Sequence, residues 1–135
     1  MIVDASVAVK WFVDEPLADR ARGLRSNELA APDLLVIEVA NALWRKVRGG
    51  EGTSRGAREA LGALRRGPVK LRPAVELVDR AIEMALELGH PVYDCVYLAL
   101  AERQDDRLAT ADRRLVAVVG GAEKHRNRVV WLGDL

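Results

Sequence analysis

Short apolar segments alternate along this chain with longer segments of helical periodicity, and this alternation constrains the fold more than any other feature. Five of the apolar segments have the length of buried strands: Met1–Asp4, Glu28–Ala31, Val69–Leu71, Leu108–Thr110 and Val129–Leu132. Strands separated by helices favour a parallel sheet that is covered on both faces. The sequence therefore predicts one α/β domain over residues 1–135, with a parallel β-sheet sandwiched by α-helices.

Three of the predicted helices carry most of the later argument. The first is expected from about Ser6 to Asp14, because Pro16 ends it. Two others are almost entirely apolar: one follows Pro32-Asp33, and Asp94 opens the other. The helix after Asp33 has no polar stripe, so it must bury both sides, either in the core or against another chain.

Four carboxylates stand at boundaries of this pattern, and they are the candidate functional residues. Asp4 and Asp112 each follow a short strand, and ligands bind at the carboxyl ends of the strands in such sheets. Taken singly, Asp4 can be a turn residue, and Asp94 and Asp112 can be helix caps. Glu38 has no such alternative, because apolar residues flank it within a helix. Charged side chains are rarely buried unless they are paired or bind metal, so the four together predict a divalent metal site.

Composition excludes several other kinds of site. Cys95 is the only cysteine, which excludes a disulfide framework and a cysteine-based zinc site. His90 and His125 are too few and too far apart to anchor a histidine-rich site. Neither a phosphate-binding P-loop nor a dinucleotide-binding glycine motif is present. Without a basic leader or an apolar run of about 18 residues, the chain is expected to be a soluble cytoplasmic protein that does not enter membranes.

Positive charge is concentrated between residues 45 and 72, where nine Lys or Arg stand against two Glu in a chain of net charge +1. Such a segment is typical of a phosphate-binding face. The alternative is a solvated helical hairpin whose arginines cover apolar surface. Arg113 and Arg114, next to Asp112, have the same two interpretations: they hold phosphates, or they are ordinary surface arginines.

The motifs around the four acids resemble those of the PIN-domain nucleases, and most closely the VapC-like toxins of toxin–antitoxin pairs. The matching blocks extend over almost the whole chain: Val3–Ser6, Lys10–Phe12, Ala31–Leu34, Glu38–Leu43, Tyr93–Glu102 and Leu108–Asp112. The resemblance implies a parallel sheet between helices. It also implies an acidic quartet made of Asp4, Glu38, Asp94 and Asp112, with the hydroxyls of Ser6 and Thr110 beside it.

The resemblance further implies an endoribonuclease in which the quartet holds Mg²⁺ or Mn²⁺. These ions prefer oxygen ligands, and they activate water for attack on a phosphodiester. Asn41 lies three residues after Glu38 on the same helix face. It either orients Glu38, or contacts the substrate, or faces the core with a backbone partner.

The partners implied by the resemblance are an RNA substrate, a cognate antitoxin and a second copy of this chain. Trp11, Trp44 and Trp131 are expected to anchor the core or an interface. Two other functions stay open: a housekeeping PIN nuclease for RNA processing or decay, and a catalytically silent PIN module that binds RNA or protein. The small size of the chain favours the toxin over the processing enzyme, and the intact quartet argues against the silent module.

Overall fold

Five strands and seven α-helices alternate along the chain. The computed structural model describes all residues from 1 to 135. The strands are β1 (Ile2–Val3), β2 (Leu29–Pro32), β3 (Val69–Arg72), β4 (Leu108–Thr110) and β5 (Val129–Trp131). The helices are α1 (Ala5–Ala8), α2 (Ala18–Gly23), α3 (Leu34–Arg48), α4 (Ser54–Arg66), α5 (Val78–Leu88), α6 (Val92–Arg103) and α7 (Arg113–Gly120).

The strands form one sheet in the order β3-β2-β1-β4-β5, and every pair is parallel. The chain builds the sheet outward from β1 to β3, then crosses back to add β4 on the other side of β1. This change of direction leaves a crevice at the carboxyl ends of β1 and β4, the usual ligand position in such sheets. Val3 pairs with Ala109, so Asp4 and Thr110 emerge side by side there. The predicted α/β class and parallel sheet are confirmed.

Helix α6 lies in the centre of the core. Every residue from Cys95 to Ala101 is buried, because the helix packs against β1, β2 and β4 as well as against α5. Strands β1, β2 and β4 are buried along their whole length, as expected for central strands that are covered on both faces. The near-continuous apolar sequence of α6 is thus explained by burial on all sides.

The first helical segment is shorter than predicted. Helix α1 begins at Ala5 and continues only as a turn of 3₁₀-helix from Val9 to Trp11, so the predicted end at Asp14 is wrong. Trp11 is buried, and its indole N–H donates to the carbonyl of Ala21 at 2.7 Å. This contact holds the chain in its return toward α2 and overrides the local helical preference.

Helices α3 and α4 pack against each other and carry the basic segment. Between residues 45 and 72, every Lys and Arg side chain except Lys46 is exposed. The segment is therefore a solvated hairpin, as the second interpretation expects. Lys46, Arg55 and Lys70 form ion pairs, and the other six basic side chains are free to contact phosphate.

Helix α3 is apolar on more than its buried face. It buries Leu35, Val39 and Leu43, whereas Ile37 is 69% exposed and Trp44 is 53% exposed. The alternative of a fully internal helix is therefore wrong. At 15 residues α3 is the longest helix, and no helix here combines the length and apolarity that a membrane crossing requires.

Candidate active site and metal centre

A cavity of about 570 Å³ opens at the carboxyl ends of the central strands. All four predicted acids line it, and so do two of the three polar residues predicted beside them: Asp4, Glu38, Asp94, Asp112, Ser6 and Asn41. The third, Thr110, is fully buried directly behind Asp4. Residues from four separate parts of the chain thus converge on one site.

Asp4 is the most enclosed of the acids, with 5% of its surface exposed. The Ser6 hydroxyl donates to Oδ1 at 2.5 Å, the Thr110 hydroxyl donates to Oδ2 at 2.5 Å, and the Val7 backbone N–H donates to Oδ1 at 3.1 Å. Burial raises the pKa of Asp4 to about 6; the three hydrogen bonds oppose this rise, and the charge of Asp94 adds to it. Because both carboxylate oxygens accept hydrogen bonds, the orientation of the Asp4 side chain is fixed.

The hydroxyls that hold Asp4 also connect two strand ends. Ser6 Oγ accepts the backbone N–H of Ala111 at 2.8 Å, and Thr110 Oγ1 accepts the backbone N–H of Asp112 at 3.1 Å. The first bond ties the turn after β4 to the start of α1, and the second lies within that turn. The same residues therefore orient Asp4 and set the position of Asp112.

Glu38 enters the cavity from the second turn of α3 and is half-buried. The Tyr97 hydroxyl, which comes from the buried helix α6, donates to Glu38 Oε2 at 2.6 Å. Burial raises the pKa of Glu38, the Tyr97 bond opposes this rise, and the charge of Asp94 adds to it. The sequence reasoning did not identify Tyr97, although a tyrosine inside an aliphatic helix, three residues after Asp94, was a visible signal.

Asp94 lies in the first turn of α6, which begins at Val92 after Pro91 and not at Asp94 as predicted. Proline suits this position because its φ is preset and the missing N–H would have no helical partner. The carboxylate contacts the ring of His90, whose Nε2 lies 2.5 Å from Asp94 Oδ2 and whose side chain is only 7% exposed. The sequence analysis did not predict this pair, because it considered only the number and spacing of the histidines. His90 and Asp94 are four residues apart in sequence.

Asp112 lines the cavity wall and also stands at the N-terminal end of helix α7. It caps α7 by accepting the backbone N–H groups of Arg114 at 2.8 Å and Leu115 at 3.4 Å. Its interpretation as a helix cap is therefore correct, and it does not compete with the cavity position. Asn41 is exposed and has no hydrogen-bond partner in the protein, so the predicted alternative of a backbone partner is wrong.

The site has an excess of negative charge. The only ion-pairing partner of any of the four acids is His90, and the charge of Asp94 raises the pKa of both Asp4 and Glu38. No three His, Cys, Asp or Glu side chains lie close enough together to hold one ion by themselves. Mg²⁺ does not need three, since it is commonly bound through one or two carboxylates and keeps several waters. The four cavity acids offer only oxygen atoms as ligands, and their negative charges repel one another. Both properties fit a hard divalent cation.

Together, the fold and the cavity define an α/β protein with an acid-lined site at the switch point of a parallel sheet. The family model described as PIN domain matches residues 1–121. This chain belongs to the PIN-domain family, and the resemblance seen in its motifs is confirmed.

Two curated relatives cover most of the chain. Ribonuclease VapC1 of Mycobacterium tuberculosis is 40% identical over 123 residues, which cover 88% of this chain and 90% of that protein. Ribonuclease VapC3 of Pyrobaculum aerophilum is 34% identical over 120 residues, which cover 85% of this chain and 91% of that protein.

Solved structures agree on the fold. The crystal structure of PAE2754 from Pyrobaculum aerophilum has a TM-score of 0.66 at 26% identity and covers 98% of this chain and 90% of its own. A toxin–antitoxin complex from Klebsiella pneumoniae has a TM-score of 0.64 at 16% identity and covers 96% of this chain and 94% of its own. At that identity the second likeness concerns the fold alone.

Proposed function

We propose that this protein is a metal-dependent endoribonuclease that acts as the toxin of a toxin–antitoxin pair. One observation carries the proposal: four carboxylates from separate elements line a single cavity at the switch point of the sheet, with no Lys or Arg paired to any of them. The relatives that cover most of this chain are named as ribonucleases.

Asp4, Glu38, Asp94 and Asp112 would hold Mg²⁺ or Mn²⁺, one or two of them directly and the others through water bound to the ion. When bound, such an ion lowers the pKa of a water molecule and neutralises charge on the phosphate that this water attacks. The protein contributes orientation, because hydroxyl groups fix both oxygens of Asp4 and Tyr97 fixes one oxygen of Glu38.

Two residues on the cavity wall are available to the substrate. The Asn41 amide has no partner in the protein, and Arg45, one helical turn further along α3, lines the same cavity with an exposed side chain. A guanidinium matches the geometry of a phosphate group. RNA entering from the side of the α3–α4 hairpin would therefore meet positive charge before it reaches the acids.

An antitoxin and a second copy of the chain are proposed partners, supported by the outer face of α3. Ile37 lines the mouth of the cavity and is 69% exposed, and Trp44 lies on the same helix with 53% exposed. Large exposed apolar side chains next to a functional cavity are typical of protein interfaces. A partner covering Ile37 would also close the cavity to RNA, which is how an antitoxin would silence the site.

Cleavage of labelled RNA by the purified protein tests the catalytic proposal. Cleavage should require Mg²⁺ or Mn²⁺, stop with EDTA, and be abolished by Asp4→Asn. The matched control is Asp79→Asn, because Asp79 is exposed on α5, outside the cavity. Full cleavage in EDTA, or by the Asp4→Asn protein, would show that the assignment of the site is wrong.

Expression in cells separates the toxin from the two alternatives. A toxin should arrest growth when induced, leave new RNA ends that map to a defined set of sites, and be suppressed by a co-expressed partner. A processing enzyme should instead be tolerated when induced and change precursor RNAs when depleted. A silent module would produce no new RNA ends at all.

A further inference from the structure

Arg113 and Arg114 are neighbours at the start of α7, but their side chains have different surroundings. Both are exposed, and neither side chain forms a hydrogen bond or an ion pair within the protein. The Arg113 guanidinium is nevertheless held in place, because its carbon atom lies 3.6 Å from the centre of the Trp131 ring. At this distance the guanidinium stacks on the ring, which is a favourable cation–π contact. Arg114 has no aromatic partner.

The Trp131 ring is itself fixed by its position in the fold. Trp131 ends β5, and it pairs with Thr110 at the carboxyl end of β4. A Cβ atom on Gly133 would lie 2.2 Å from two atoms of the Trp131 ring, so the ring occupies space that only glycine leaves free. The indole is thus wedged against the backbone of residue 133 and forms a rigid support for Arg113.

This arrangement places Arg113, a cation without an ion-pair partner, beside the acidic cavity. Adjacent strands lie about 4.8 Å apart, so Trp131 is one strand from Thr110 and two strands from the end of β1, where Asp4 stands. Arg113 directly follows Asp112, which lines the cavity. Stacking leaves the N–H groups at the edge of a guanidinium free, and these groups bind phosphate oxygens in pairs.

We propose that Arg113, held on Trp131, binds a phosphate of the RNA strand next to the one that is cleaved. In this role Arg113 is a substrate-binding residue, and Trp131 and Gly133 are positioning residues that act through it. The proposal deepens the ribonuclease function proposed above and rests on it. A flexible arginine would lose side-chain entropy on binding, whereas a stacked one has already lost it.

The test measures RNA binding by the uncleaving Asp4→Asn protein, with a short fluorescein-labelled single-stranded RNA of mixed sequence as the probe. Fluorescence anisotropy at several salt concentrations gives both the affinity and its salt dependence. Arg113→Gln should weaken binding about tenfold and reduce the salt slope by about one charge. Arg114→Gln is the matched control and should leave the affinity within experimental error.

Variants of Trp131 and Gly133 test whether stacking on the ring matters, or whether any positive charge at position 113 is sufficient. Trp131→Leu should weaken binding although Arg113 is retained, and adding Arg113→Gln to it should cause little further loss, because the two residues act as a unit. Gly133→Ala should have the same effect as Trp131→Leu, since it displaces the ring. Arg113→Lys should keep the salt slope but recover only part of the affinity.

Equal losses in Arg113→Gln and Arg114→Gln would overturn the proposal, and so would full affinity in both Trp131→Leu and Gly133→Ala. If either support variant fails to fold, Arg113→Lys still decides, because full recovery by lysine means that stacking has no role. Failure of the parent protein to bind RNA, together with no cleavage by the wild type, would remove the ribonuclease function itself. Normal RNA binding and cleavage without any effect at Arg113 would remove this inference alone.

Discussion

Carboxylates in this protein occur in two clusters with opposite surroundings. On the outer side of α5 and α6, Arg80 donates to both oxygens of Glu102, at 2.7 and 3.0 Å, and to Glu83 at 2.9 Å. His125 contacts Glu87 at 3.2 Å. Hydrogen bonds from Arg80 lower the pKa of Glu102, and the contact with His125 lowers the pKa of Glu87. This cluster contains its own cation, Arg80.

The cavity cluster is built in the opposite way. Its acids are held by neutral hydroxyl groups, backbone N–H groups and one histidine, and burial raises the pKa of both Asp4 and Glu38. The chain has an excess of basic residues, so it does not lack cations to place there. The comparison indicates that no Lys or Arg is paired with the cavity acids, and that these acids are arranged for a cation from solution.

The largest expected effect that tests this contrast is the pH dependence of stability without metal. Asp4 has a pKa of about 6 in the folded protein and 3.8 in its unperturbed form. Between these values the folded state binds more protons than the unfolded state, so the contribution of Asp4 to stability falls as pH rises from about 4 to about 6. Above that window the cost is on the order of 3 kcal/mol.

The Asp4→Asn protein isolates this term. Without metal, it should be more stable than the wild type at pH 8, and the advantage should disappear as pH is lowered to about 4. Urea unfolding at a series of pH values, with Asp79→Asn measured in parallel, gives the difference. A difference that does not change with pH would mean that the pKa of Asp4 is not raised.

Tyr97→Phe should produce the next largest effect, with the opposite sign. It removes the hydroxyl that donates to Glu38 and leaves a half-buried carboxylate without its partner, a loss of about 2 kcal/mol. The matched control is Tyr93→Phe, because Tyr93 is 65% exposed and its hydroxyl has no hydrogen-bond partner. Chemical unfolding at pH 8 compares the two, and equal stabilities would show that the Tyr97 contact contributes nothing.

A pair of substitutions with smaller effects compares the two clusters directly. Asp94→Asn removes a like charge from the cavity and should raise the metal-free stability by about 1 kcal/mol, whereas Arg80→Met should lower it by about 1 kcal/mol. Added Mg²⁺ should shrink the gain from Asp94→Asn, because only a protein that binds the ion is stabilised by it. It should not change the effect of Arg80→Met.

Melting temperatures with and without Mg²⁺ measure both changes. A metal-free Asp94→Asn protein that melts below the wild type would mean that the bond between Asp94 and His90 outweighs the repulsion. The cavity acids, like the surface acids, would then be stabilised by their own partners in the protein.

The fold was largely predictable because its signals are local and periodic. Most strands are short apolar runs that a helix follows, and this pattern is sufficient to predict a parallel sheet. The end of the first helix was not predictable in this way, since it depends on the hydrogen bond from Trp11 to Ala21, ten residues away. Tertiary contacts of this kind leave no periodic trace in the sequence.

The site was predictable in its four acids and in the hydroxyls of Ser6 and Thr110 that hold Asp4. Glu38 conflicts with its apolar neighbours in the sequence, and such a conflict points to function. Asp4, Asp94 and Asp112 stand at strand or helix boundaries, and they became candidates through their joint occurrence and the family resemblance. The residues that orient them, Tyr97 and His90, do not conflict with theirs: a buried tyrosine and a turn histidine are both ordinary. Their roles follow from the packing of α6 against α3 and from the turn after α5, which only the three-dimensional structure provides.

Calorimetric titration of Mn²⁺ into the metal-free protein tests most directly whether the cavity acids form a site that binds a divalent cation. The wild type and the exposed control Asp79→Asn should bind the ion with the same affinity, and Asp94→Asn should bind it at least about tenfold more weakly. Binding that is equal in all three proteins, or no binding to the wild type, would contradict the account.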